Sequence, residues 1–214
     1  MFYPFRIPSF IQRVFPKYLW SKSMDEEVIY LTFDDGPTPE ITPWVLNLLE
    51  QYNAKATFFC IGKNLRQHPV LVRQIVEQQH KIGNHSFSHL KGWQTKSKNY
   101  INDILQAAEI IQSTTNNTAI NQKLLFRPPY GQITKTQANV LIDKGFTIVL
   151  WNILTGDFDP NLNPEKSLKK TLKNTKPGSI VVFHDSLKAK KNLQYILPNV
   201  LKHWSQQGYQ FKTL

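Results

Sequence analysis

The chain reads as an α/β protein, a (β/α) barrel of about seven strands, distorted or incomplete. Short β-rich apolar runs alternate with stretches of helical periodicity, giving seven strands and six intervening helices, the pattern of a parallel sheet. The reactive residue types fall just after five of those strands. An open sheet brings only a few strand ends together at its switch point, so five contributors fit a curled sheet better. At 214 residues the chain fits one domain, or at most a tight pair.

The elements follow in order. Residues 1–24 form a basic and aromatic extension ahead of a domain spanning 25–214. Within the extension, Ile7, Phe10, Ile11, Val14 and Phe15 define one face of a short helix. That face either packs on the domain or meets a membrane interface. Residues 28–33 are a buried strand, and 39–52 a helix with Ile41, Val45, Leu48 and Leu49 on one side. Strand 55–60 precedes helix 64–80, with Leu71, Val72, Ile75 and Val76. Strand 81–84, helix 97–113, strand 124–127, helix 134–144 and strand 146–151 come next. Helix 164–174, strand 179–183, helix 190–207 and strand 209–212 complete the alternation. Gly145, Gly178 and Gly208 each stand between a helix and a strand, where a left-handed helix end is expected.

Composition excludes several classes. Apolar residues make up 41%, so the chain is not disordered. Apolar runs such as 148–151 and 180–183 are four residues long, whereas a membrane-spanning helix needs about 20. The first sixteen residues hold three prolines and two arginines, unlike a secretion signal. A cytoplasmic or peripherally membrane-associated monomer is the expectation. The single cysteine, Cys60, rules out an internal disulfide and a multi-cysteine metal site.

The net charge of +11 is unevenly placed. Residues 1–24 carry four basic side chains and no acid, and residues 160–214 carry ten lysines against Glu165 and Asp185. The middle, 25–159, is near neutral with 12 basic and 13 acidic residues. A nucleic-acid enzyme concentrates basic charge around its site, and no aromatic-basic module is present, so nucleic acid is excluded as a partner. The basic ends are either a solvated surface or a surface for an anionic membrane or envelope polymer.

The reactive residues are specific in kind. His85-Ser-Phe-Ser-His89 has a spacing that, on a helix or strand, puts both imidazoles on one side. Two histidines and a carboxylate make an open site for zinc or another divalent first-row metal. Asp34-Asp35 follows the first strand, and two adjacent carboxylates there need a cation or a basic group to compensate them. Arg127-Pro-Pro-Tyr-Gly131 is a stiff loop whose arginine can orient a carboxylate. His68, His80 and His203 are isolated in helical stretches and read as surface or packing residues.

Thr32-Phe-Asp-Asp-Gly-Pro37, His85-Ser-Phe-Ser-His89, Arg127-Pro-Pro-Tyr130 and Val181-Val-Phe-His184 resemble four of the five motifs of polysaccharide deacetylases, in the family's order. That family is carbohydrate esterase family 4, with the NodB homology domain. The resemblance implies a metal-dependent hydrolase that removes N-acetyl groups from amino sugars of a chitin-, peptidoglycan- or poly-GlcNAc-like glycan. O-deacetylation of a polysaccharide such as xylan, or non-catalytic glycan binding, are the alternatives.

The resemblance further implies that Asp35, His85 and His89 bind the metal, commonly zinc, sometimes cobalt or nickel. Asp34 would be the general base, Arg127 its orienting partner, the Tyr130 backbone N–H an oxyanion donor and His184 the general acid. The fourth motif departs from the family pattern. After Trp151, the position that often holds the partner of the catalytic histidine is Leu154, and Phe158 replaces a tryptophan. Asp157 is then the expected partner of His184, with Asp159 behind it. Val181 and Phe183 stand where the family's leucines are expected, which implies an acetyl-methyl pocket of different shape, and Trp151 and Phe183 are assigned with Tyr130 to the oxyanion and substrate site.

Overall fold

A computed structural model describes residues 4–114 and 124–214. Residues 1–3 of the N-terminal extension and 115–123, between the third predicted helix and the fourth strand, lie outside the described residues. The strands are β1 (Val28–Asp34), β2 (Ala56–Cys60), β3 (Lys81–Asn84), β4 (Leu124–Phe126), β5 (Phe146–Ile148), β6 (Ile153–Leu154), β7 (Ile180–His184) and β8 (Gln210–Phe211). The helices are α1 (Ser9–Val14), α2 (Thr42–Gln51), α3 (Gly62–Gln67), α4 (Pro69–Glu77), α5 (Ser97–Thr114), α6 (Lys135–Asp143), α7 (Pro164–Asn174) and α8 (Lys190–Gln206). The sheet runs β5-β4-β3-β2-β1-β7-β6, with β8 against the start of β1, and every strand pairing is parallel.

This sheet is curled. Arg127 follows β4, and β3 and β2 stand between β4 and β1. In a flat sheet those strands would lie roughly 14 Å apart, beyond the combined reach of the two side chains. Yet Arg127 Nη1 is 2.7 Å from Asp34 Oδ1. Phe59, Leu125, Val149 and Ile180 likewise form one interior cluster, with Leu19, Tyr30 and Trp151 against it.

The strand period of two sorts the side chains. Tyr30, Thr32 and Asp34 of β1 face the interior. Ile29, Leu31 and Phe33 face the outer core, where they meet Phe58, Val181 and Phe183 and the α8 residues Leu193, Leu197 and Trp204. Phe183 therefore points away from the interior that Asp34 and His184 face, contrary to its expected place in the substrate site. It is fully buried and stacks on Phe33 at 5.7 Å between ring centroids. Because His184 points inward, its neighbour must point outward, and the inward positions of β7 are Ile180 and Val182.

Two predicted elements are divided in the structure. The expected helix 64–80 is broken at His68, whose backbone (φ −128°, ψ 56°) is not helical. Pro69 crowds the residue before it out of helical geometry and then opens α4 at its first turn. The expected strand 146–151 stops at Ile148, and the two-residue β6 pairs with β7 instead.

Residues 149–152 thus cross the gap between the sheet's two ends, and the N-terminal extension lines that gap. Leu19 N–H donates to Ile148 O and Leu150 N–H to Leu19 O, both at 2.8 Å. Ile7 N–H donates to Asn152 O at 2.9 Å, and Leu154 N–H to Phe5 O at 3.0 Å. Helix α1 lies within the extension with no buried residue. No helix among the described residues is long and apolar enough to cross a membrane.

Candidate active site

The groups singled out after five strands converge at the carboxyl end of the sheet. Asp34 ends β1 and points inward. Arg127 is fully buried, an expensive position for a cation without compensation. Three acceptors and two ring faces meet it. Nη1 donates to Asp34 Oδ1 (2.7 Å) and Thr32 Oγ1 (2.8 Å), and Nη2 donates to Leu150 O (3.1 Å). The guanidinium lies over Phe59 at 4.1 Å and Trp151 at 5.8 Å. Burial lowers its pKa, and the Asp34 charge opposes that shift. Trp151 is half-buried and packs against Gly131, below the Tyr130 turn.

Asp35 has a left-handed backbone (φ 78°) that turns it away from its neighbour. Its Oδ1 lies 3.1 Å from Nε2 of His89 and 3.6 Å from Nε2 of His85. That oxygen is buried and forms no hydrogen bond of good geometry. Burial would raise the Asp35 pKa, but the His89 contact and the nearby imidazoles outweigh it and hold the carboxyl below its usual range. His85 Nδ1 faces the carbonyl of Arg127 at 2.8 Å. A carbonyl only accepts, so Nδ1 carries the proton and Nε2 presents its lone pair towards Asp35. Burial also pushes the His85 pKa down to about 4, keeping the ring neutral. One donor atom from each of the three residues falls within 4.8 Å of the others, a set that fits a divalent cation.

The 85–89 segment is a loop, neither the helix nor the strand that the spacing suggested. Ser86 (φ 64°) and His89 (φ 56°) are left-handed there. Such non-glycine backbones cost free energy and persist only where surroundings enforce them. Asp103 of α5 does so by accepting from the N–H groups of Phe87 (2.8 Å) and Ser88 (3.0 Å), while Asn84 Oδ1 accepts from Ser86 N–H at 2.8 Å. Neither residue stood out in the sequence, because a carboxylate on a helix gives no sign of which loop it holds.

On the other side of β1, His184 ends β7. Its Nδ1 lies 2.8 Å from Asp157 Oδ1, and Asp157 Oδ2 accepts the His184 backbone N–H at 2.8 Å. Asp157 is fully buried, and Asn192 donates to its carbonyl. Burial would lower the His184 pKa, but Asp157, with smaller help from Asp35 and Asp34, raises it to about 9. Leu154 is a buried β6 residue, and Asp159 Oδ1 accepts from Asn161 N–H at 3.0 Å. Phe158 meets the His184 ring edge-on at 5.0 Å. Tyr130, left-handed at φ 58° and half exposed, lies against His89 with ring centroids 4.8 Å apart.

Asp185, next to His184 after the same strand, has no role assigned from the sequence, and it underlies the Asp34–Thr38 turn. It is fully buried, its N–H donates to Asp34 O at 3.1 Å, and its carboxyl accepts from Thr42 Oγ1. Burial, reinforced by Asp35 and Asp34, pushes its pKa up to about 8. A Cβ on Gly36 would lie 2.0 Å from that carboxyl, so only glycine fits there.

Comparison with known proteins agrees with this geometry. A peptidoglycan-N-acetylglucosamine deacetylase of Bacillus cereus is 36% identical over 196 residues, covering 91% of this chain and 90% of the relative. A chitooligosaccharide deacetylase of Azorhizobium caulinodans is 30% identical over 193 residues, covering 90% and 85%. The crystal structure of the Bc1960 peptidoglycan N-acetylglucosamine deacetylase superposes with a TM-score of 0.86 at 31% identity, covering 95% of this chain and 94% of that one. With residues 21–149 also matching the family described as Polysaccharide deacetylase, the chain belongs to the polysaccharide deacetylase family.

Proposed function

We propose that the chain is a metal-dependent hydrolase that removes N-acetyl groups from amino sugars of a peptidoglycan- or chitin-like glycan, releasing acetate. One observation carries the reading. Three metal-type donors lie together at the strand ends, with an arginine-held carboxylate on one flank and a carboxylate-held imidazole on the other. The curated relatives named above act, by their names, on such glycans.

Asp35, His85 and His89 would hold the cation, with zinc the expected ion and cobalt or nickel able to replace it. When bound, such an ion supplies Lewis-acid polarisation of the acetamide carbonyl and makes water more acidic. Asp34 takes the proton of the attacking water. Arg127 occupies Asp34 Oδ1, which leaves the second oxygen for that proton. The Tyr130 backbone N–H supports the oxyanion. At neutral pH His184 is imidazolium, with Nδ1–H given to Asp157, so Nε2–H is the proton delivered to the leaving amine. Every group comes from one chain, so a monomer suffices. The exposed α1 face and the α7 lysines would form a contact for an anionic membrane or envelope polymer.

Acetate release tests the reaction. The chain should release acetate from chitooligosaccharides and peptidoglycan fragments, lose that activity with a chelator and regain it with zinc. Release from acetylated xylan alone would favour the O-deacetylase alternative, and none from any acetylated glycan would overturn the reading.

A further inference from the structure

Trp93 takes no part in the chemistry above, yet it is tied to the loop that carries Tyr130. Its side chain is 66% exposed, an unusual position for the largest apolar residue. It is nevertheless fixed. The indole N–H donates to Ile133 O at 3.1 Å, so its one polar group is satisfied by the loop that carries Tyr130.

The short turn Gly92–Gln94 that bears Trp93 is fastened to that loop at further points. A Cβ on Gly92 would lie 2.2 Å from Gln132 O, so only glycine permits the approach. Gln137, fully buried at the start of α6, donates from Nε2 to Gly92 O (2.9 Å) and Thr95 O (3.1 Å). Its Oε1 accepts the Thr134 N–H at 2.9 Å. The turn follows His89 by three residues. Between them, Lys91 places its ammonium 5.2 Å from the centre of the Tyr130 ring, which itself lies against His89. His89, Tyr130 and Lys91 thus adjoin one another, and Trp93, two residues after Lys91, is bonded to the loop that carries Tyr130.

We propose that Trp93 is the platform of an outlying sugar subsite, taking a pyranose ring two or more units from the acetylated one on the Tyr130 side. The proposal rests on the glycan-deacetylase reading. A pyranose face presents axial C–H groups, and a rigid exposed indole offers a flat apolar partner at low entropic cost. Its occupant is a sugar of the same glycan chain because Trp93 is bonded to the loop whose Tyr130 lies against His89, one of the metal-type donors.

Binding and turnover together test it. Calorimetric titration of N-acetylglucosamine dimer and pentamer into the Asp34→Asn chain should show tighter binding of the pentamer. Adding Trp93→Ala should weaken the pentamer about tenfold, the scale of one aromatic contact, and leave the dimer within twofold. In the otherwise unaltered enzyme, Trp93→Ala should raise KM for the pentamer with kcat and melting temperature little changed. Trp93→Phe keeps a ring and loses the N–H, and should restore most of the difference. Equal losses on dimer and pentamer, or no loss on either, would overturn the proposal. If acetate were never released while pentamer binding still depended on Trp93, the subsite would stand and the reaction reading would fall. If acetate were released with no dependence on Trp93, the reverse would hold.

Discussion

Asp34 and Asp35 are neighbours of one chemical type, and the fold gives them different partners. Arg127 holds Asp34, whereas two imidazoles face Asp35. The residue types and spacings showed a metal-type cluster, but not which aspartate belonged to it, since that depends on a left-handed φ at Asp35 that sequence does not reveal. The resemblance to the deacetylases named the roles, and the geometry supplies a physical reason for them. Phe183 shows the opposite case, because counting back by twos from an inward His184 would have placed it outside the site.

His184 gives a pH prediction at this scale. Its folded pKa is raised, so the acid form is present at neutral pH and is lost as pH rises through about 9. The kcat profile should therefore fall on the alkaline side near that value. Asp157→Asn should move this limb to lower pH, because the largest raising influence is gone. The sign for stability is the same. The pair's contribution is full below the unfolded pKa of roughly 6.5 and disappears as pH climbs through about 9. His184→Ala should lower kcat on an acetamido sugar by about 10²–10⁴-fold and do less harm on an activated aryl ester. Equal losses on both substrates would count against His184 as the acid.

The elements most legible in the sequence were the long periodic helices and the strands with apolar runs, because each buries a continuous face. The short ones escaped. Two-residue β6 has no period to read, and Pro69 was overlooked as a helix break although its ring restricts His68. The N-terminal extension was legible as basic and aromatic, but not as the lining of the seam, since its hydrogen bonds there are made by backbone.

Helix α1 leaves Phe10 at 64% and Val14 at 65% exposed, with Phe15 beside them and Arg13 and Lys17 in the same segment. Lys170 of α7 lies 4.3 Å over the ring of Phe5, which joins the lysine-bearing helix to the extension. Exposed apolar side chains with basic residues in the same segment suit an anionic bilayer surface, where each Lys or Arg contributes about 1 kcal/mol and salt weakens it. In co-sedimentation, binding should require vesicles with anionic lipid. It should weaken with salt and drop in a variant with Phe10→Ser, Val14→Ser, Lys166→Gln, Lys169→Gln and Lys173→Gln. Unaltered binding in that variant, or equal binding to neutral vesicles, would remove this reading.

At the scale of the molecule, the curl of the sheet is what makes the site. Arg127 reaches Asp34 only because β4 and β1 bend towards each other, and His184 approaches from the far side because β7 pairs with β1. Those groups are 150 residues apart in sequence at most, yet the strand ends gather them at one mouth. Beneath them lies an apolar cluster, and the rings of Phe59 and Trp151 both lie near the buried guanidinium. This is why the reactive residues were readable as a set before their geometry was known. Strand ends are where a parallel β/α fold leaves side chains free to converge.

The central claim is that Asp35, His85 and His89 hold a divalent metal while Asp34 does not. Elemental analysis of purified protein after zinc loading and desalting tests it most directly. The unaltered chain should carry about one ion per molecule, as expected of a single three-ligand site. His85→Ala with His89→Ala should lose the ion with the fold retained by circular dichroism, and Asp34→Asn should keep it while losing most activity. An unchanged metal content in the double histidine variant, or loss of the ion in Asp34→Asn, would contradict the account.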